Sequence, residues 1–224
     1  IVSFLIIALL IPLGVGFAQS VVDLGTNGSG LLPSNPFYFL KEFGRNFRKL
    51  LLPGQIRKAD LELTVLNEKA AELLKLSEIA PDNIEALKKA IATYKEAAED
   101  LRLRFENLGE DSNNPNVDRL LDQLVDRSLR HQQLFDELLE NAASEDFISS
   151  MNEARDKLAE VIAAAAKQLN NSTEFSNRFL NILKTQDSLV SEFRAAVLLD
   201  RVEEKLTGEE RKPVSQAKED ILNR

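Results

Sequence analysis

The chain has 224 residues, 36 Asp/Glu against 28 Lys/Arg for a formal net charge of −8, 44% hydrophobic residues and no cysteine. That is enough chain for one ordinary domain or two small ones, and the missing thiols exclude disulfides, thiolate metal sites, cysteine nucleophiles and a lipid anchor attached through cysteine. The acidic body argues against a nucleic-acid partner, which needs a basic groove or stripe.

Ile1–Ala18 holds no charged residue. Its apolar run, Pro12-Leu13-Gly14, then Gly16 and Ala18, matches the hydrophobic region and small-residue cut site of a secretory signal peptide, with cleavage expected between Ala18 and Gln19. Eighteen apolar residues are also close to the length of a membrane span. A cleaved signal, a retained anchor and a buried core helix are the three readings. The first two place the body outside the cytoplasm: secreted, periplasmic or at the cell surface. Residues 19–30 read as a flexible linker, because Gly25, Asn27, Gly28, Ser29 and Gly30 favour open turns and lack packing side chains.

Leu31–Gly54 is locally basic and aromatic. Residues 19–58 carry six Lys/Arg and two Asp/Glu, whereas residues 59–224 carry 22 and 34. Ser34 or Asn35 can cap a helix whose first position suits Pro36, and Pro53-Gly54 ends it. Phe39, Phe43 and Phe47 repeat at helical spacing. Phe37, Tyr38, Phe39, Lys41, Phe43, Arg45, Phe47, Arg48 and Lys49 form the candidate docking or membrane-contact surface. Either the aromatic stripe plugs the bundle, or a short amphipathic helix lies on a membrane or a partner.

From Gln55 the pattern is helical. One helix is expected over 56–79, with Leu63, Leu66, Ala70, Leu73 and Ser77 on its seam. Asp82 as cap and Glu85 three residues on suggest a capping box for the next. That helix has the cleanest period: Ile84, Leu87, Ile91, Tyr94, Ala98, Leu101, Phe105 and Leu108, alternating steps of three and four. The short turn between the two makes an antiparallel hairpin. Residues 109–116 form a polar break whose order of ligands does not fit a calcium loop.

A second pair of helices follows. One spans about 117–141, with Val117, Leu121, Leu124, Phe135 and Leu138 inward. Its partner is capped by Ser144 and runs to about Leu169, with Phe147, Met151, Ala154, Leu158, Val161 and Ala165 inward. One further helix is expected over 174–206, then a short tail helix over 207–224 interrupted by Pro213. The fold class is therefore all-α: antiparallel helical hairpins in a bundle, preceded by the aromatic amphipathic helix and the leader. The helical domain covers 31–206, with sub-bundles over 31–108 and 116–206.

His131 is the only histidine. It falls on the line of Leu124, Phe135 and Leu138, and is expected to be a hydrogen-bonded packing residue at the core edge. A di-iron bundle needs Glu-x-x-His on two helices; here Ser128 stands three residues before the lone His131. No phosphate loop, nucleophile elbow or paired-carboxylate context stands out, and the acidic residues fall at outward helical positions. No enzyme activity, metal or cofactor is expected.

The opening Leu31-Leu32-Pro33-Ser34-Asn35-Pro36-Phe37-Tyr38-Phe39-Leu40-Lys41, followed by a basic-aromatic helix, resembles that of the bacterial proteins grouped as domain of unknown function 5667. Ala59-Asp60-Leu61-Glu62-Leu63 and Leu129-Arg130-His131-Gln132-Gln133-Leu134 are similar as well, so the likeness spans about 31–165. Asn35 and Phe37 depart from the pattern. The resemblance implies an all-helical exported or membrane-tethered protein and supplies no catalytic residues. The expected role is a non-enzymatic structural or protein-interaction module of the cell envelope, whose partner is another protein, a second copy or a membrane surface. The rival roles are an anchored regulatory or sensory ectodomain, a carrier whose bundle holds an apolar ligand between residues such as Phe105, Phe135 and Phe193, and a hydrolase using scattered carboxylates, which requires two acidic groups converging in a cleft.

Overall fold

The computed structural model describes residues 22–25, 52–108, 115–140, 142, 144–168, 172–185 and 189–223. Among these the secondary structure is all helical. The helices are α1 (Gln55–Ile79), α2 (Ile84–Glu106), α3 (Pro115–Glu140), α4 (Glu145–Gln168), α5 (Ser172–Lys184), α6 (Leu189–Glu204) and α7 (Arg211–Leu222), the last preceded by a 3-10 turn at Gly208–Glu210.

The expected seams are the ones that pack. On α2, Leu87, Ile91, Tyr94, Ala98, Leu101 and Phe105 are all buried; on α4, so are Phe147, Met151, Ala154, Leu158, Val161 and Ala165. Each large apolar side chain removed from water contributes roughly 1.5–3 kcal/mol, so these two stripes largely determine how the helices pair. Among the described residues, α2 and α4 share the most extensive interface. Both are rich in small buried residues, Ala90, Ala97 and Ala98 on one and Ala154, Ala159 and Ala163 on the other, which allow close approach of the backbones.

α1 packs on α2 and α3, and α4 packs on the same two helices. The four close a ring in the order α1, α2, α4, α3, so that α2 and α3, neighbours in sequence, face each other across the centre. Thr64 and Asn67 of α1 meet Arg127 and His131 of α3, and Lys95 and Glu99 of α2 meet Glu153 and Lys157 of α4. Both pairs therefore run parallel, and the chain goes up, down, up, down. A second tier lies on this ring: α5 and α6 pack on α3, α6 also on α4, and α7 joins α5 to α6.

Several local expectations need correction. The single helix over 174–206 is two, because the Thr185 N–H and hydroxyl both bond to the Ile182 carbonyl and end α5. The cap of α2 is Asn83, whose side chain accepts from the Ala86 N–H at 3.1 Å; Asp82 stands one residue too early. Ser144 does cap α4, accepting from the Phe147 N–H. Pro213 does not interrupt the last helix, because it sits in the first turn of α7, where its missing N–H costs nothing. Val214, Ala217 and Ile221 of that helix are buried, so it belongs to the core. Acidic residues are not all outward either: Glu62, Glu72 and Glu203 are buried beside Arg104, Lys69 and the pair Arg211 and Lys218.

The largest departure is at the start. Val22 and Leu24 are 2% and 4% exposed, although the composition of residues 19–30 reads as an open linker. Asp23 between them faces solvent. This alternation is that of an extended strand laying one face into a surface. Its end is fixed by a local turn: the Asp23 carboxylate accepts from the Gly25 N–H at 2.8 Å, and Gly25 has a φ of 63°, a conformation open to glycine.

Candidate functional site

The centre of the four-helix ring holds a polar relay that fastens this strap. His131 projects from α3 and is 0% exposed. Its Nε2 lies 2.9 Å from Asn67 Oδ1 on α1, and its Nδ1 lies 3.0 Å from the Tyr94 hydroxyl on α2. Asn67 Nδ2 in turn donates to the Leu24 carbonyl at 3.0 Å.

The direction of every bond follows from the end of the chain. A carbonyl can only accept, so Asn67 must present its NH2 to Leu24 and its oxygen to His131. The histidine therefore carries its proton on Nε2 and accepts at Nδ1, which leaves the Tyr94 hydroxyl as donor. The sequence of donation is Tyr94 to His131 to Asn67 to Leu24. Bonds aligned in one direction reinforce each other in a medium of low polarity.

The electrostatics keep this relay neutral. Burial, with the nearby Arg127 guanidinium as a lesser cause, pushes the His131 pKa down to about 3. Burial also raises the Tyr94 hydroxyl well above its ordinary value. The rings pack as well as bond: Tyr94 meets His131 edge-on at 5.5 Å and Phe135 at 5.2 Å. His131 is the hydrogen-bonded packing residue expected from sequence, although it sits in the middle of the core instead of at its edge.

Outside the ring, Arg130 completes the seat of the strap. Its Nη1 donates to the Asp23 carbonyl at 2.6 Å and lies 3.5 Å from the Asp23 carboxylate, while its Nε donates to Asp126. Two consecutive carbonyls of the strap are thus read by two side chains from different helices.

This arrangement binds backbone; it does not offer a reactive group. Both nitrogens of the histidine are engaged, and the buried carboxylates are paired with cations. Among the described residues no three His, Cys, Asp or Glu side chains come together to hold a metal ion. Among the described residues, a hollow of about 630 Å³ opens at the α1–α2 turn beside Ile79 and Pro81, and another of similar size opens beside Gln55, Arg57, Asp60 and Arg119. Neither collects a nucleophile and a base. Phe105 and Phe135 are core residues, but Phe193 is 67% exposed on α6, so the three do not line a common cavity.

The aromatic and basic surface expected from sequence, Phe37, Tyr38, Phe39, Lys41, Phe43, Arg45, Phe47, Arg48 and Lys49, lies outside the described residues, as does the leader. No helix among the described residues is long and apolar enough to cross a membrane. Comparison of the chain with protein-family models, curated proteins and solved structures finds no match.

Proposed function

We propose that this protein is an exported helical module of the cell envelope that acts by holding and presenting protein surface, without catalysis. The carrying observation is that the sole histidine, the residue best suited to acid–base chemistry at neutral pH, has both ring nitrogens occupied in fastening the strap that follows the leader. The apolar Ile1–Ala18 and the resemblance to domain of unknown function 5667 support export.

The strap also limits how the body relates to the leader. Only Gln19, Ser20 and Val21 separate Ala18 from the buried Val22, a span of at most about 14 Å when fully extended. If the leader is cut, the new N-terminus lies beside the bundle. With the leader retained as an anchor, the bundle is held close against the membrane, and the regulatory-ectodomain reading gains a defined geometry.

Expression of the complete gene, cell fractionation, and intact-mass and N-terminal analysis of the recovered protein test this reading. A chain starting at Gln19 in an extracytoplasmic fraction supports a released module. A full-length chain in the membrane fraction supports the tethered form. An uncut chain in the cytoplasm overturns export.

A further inference from the structure

We infer that the seat of Val22–Gly25 is a peptide-docking site, and that a second copy of this chain can fill it with its own Val22–Gly25, joining two molecules by strap exchange. This gives the self-association reading its surface and does not depend on where the protein resides.

The first support is the form of the contact. Val22 and Leu24 are buried and Asp23 is exposed between them. The carbonyls of Asp23 and Leu24 are held by Arg130 and Asn67. Side chains buried at alternate positions, with main-chain groups held by hydrogen bonds, are how proteins bind extended peptides. The Asp23–Gly25 turn pre-shapes the segment, which lowers the ordering cost of docking.

The second support is that the strap owes its place to distant residues. Asn67 lies 43 positions away and Arg130 lies 107 positions from its partner Asp23. No covalent proximity holds it there. A second copy presents the identical segment, so exchange conserves every one of these contacts. The remaining cost is that of associating two molecules.

The third support is reach. Residues 26–51 separate the strap from the first described residue before α1. Even with the helix expected from Pro36 onward formed, that length spans up to about 60 Å, whereas a 25-residue helix such as α1 is about 37 Å long. The chain is long enough to carry a strap from one bundle to another. Because the strap's own site competes through a high effective concentration, the exchanged form grows with protein concentration.

The absence of cysteine makes the test clean. Asp23 and Asp126 both approach the guanidinium of Arg130, so Asp23→Cys and Asp126→Cys place thiols within reach of a short bis-maleimide. Asp23→Cys removes the carboxylate that closes the strap's turn and Asp126→Cys removes a partner of Arg130, so the double variant in one chain first checks that the strap, held by the Asp23 and Leu24 carbonyls, still seats in its own bundle, by cross-linking to a monomer. Copies carrying only Asp23→Cys are then mixed with differently tagged copies carrying only Asp126→Cys, equilibrated at rising concentration and cross-linked. Exchange predicts a covalent heterodimer, identified by mass, that increases with concentration and exceeds the cross-linking of like copies at least tenfold. It also predicts loss of that product when Leu24→Asp is added to the Asp23→Cys copies. Cross-linked monomer from the double variant with no heterodimer excess on mixing overturns the proposal. So does a heterodimer that survives Leu24→Asp.

Discussion

The relay at the centre of the ring and the ion-pair network on its flank both tie helices together, by opposite means. In the relay, Tyr94, His131 and Asn67 are buried, neutral, and joined in one direction to the Leu24 carbonyl. On the flank, Glu99 and Arg102 of α2 meet Lys157 and Glu160 of α4 in a cluster about one-quarter to one-third exposed. Salt and water screen the second; only acid strong enough to charge a buried ring disturbs the first. The contrast shows where specificity lies. Many pairings of Lys, Arg and Glu would serve the flank, but the relay accepts only a donor, a neutral imidazole and an amide in that order.

Substitutions separate the two by size of effect. His131→Ala empties a fully buried site and strands Tyr94 and Asn67, so urea denaturation is expected to show a loss of about 3–5 kcal/mol. Asn67→Ala leaves the His131 Nε2–H and the Leu24 carbonyl unpaired, with an expected loss of about 2–3 kcal/mol and faster amide exchange in the strap. Tyr94→Phe keeps the ring contact with Phe135 and removes only the hydroxyl that serves Nδ1; about 1–2 kcal/mol is expected by the same assay. Glu99→Gln, at a partly exposed pair, is expected to cost less than about 1 kcal/mol, and the difference from wild type should vanish in about 1 M salt.

Acid provides a second separation. The unfolded chain protonates His131 near its ordinary value of 6.5, while the folded chain resists until about pH 3. The unfolded state therefore binds more protons between those limits, and stability falls as pH drops through that window. Glu99 is held down to about 2, chiefly by its bond to Arg102. Its contribution is present above the ordinary carboxylate range and is lost only as pH falls from there toward 2. Denaturation midpoints measured from pH 8 to pH 3 should begin to drop near 6.5 in the wild type. In His131→Gln the drop above pH 5 should be absent, and the acid limb below it should remain.

How much of this was legible in the sequence depends on chain length and distance. The seams of α2 and α4 were plain because each repeats a helical period over about 20 residues, long enough for pattern to outweigh local exceptions. The break between α5 and α6 is marked in the sequence only by the short polar run Thr185-Gln186-Asp187-Ser188. The strap leaves little trace because Val22-Asp23-Leu24 is too short to show a period, and the glycines and asparagine after it dominate the composition. Its one signal is alternation followed by Asp-x-Gly, a common pattern. The relay was partly visible: His131 lies on an apolar line, but nothing in one dimension joins it to Asn67, 64 positions away, or to a strap beyond.

Nitrogen-15 NMR of the His131 ring between pH 8 and pH 4 tests the seat of the strap most directly. The account predicts a single neutral form throughout, with the proton on Nε2 and slow to exchange, because the ring is fully buried and its Nε2–H is held by Asn67, whose amide is fixed by the strap's Leu24 carbonyl. A ring that titrates near 6.5, or that carries its proton on Nδ1, would contradict the relay and with it the docking of Val22–Gly25.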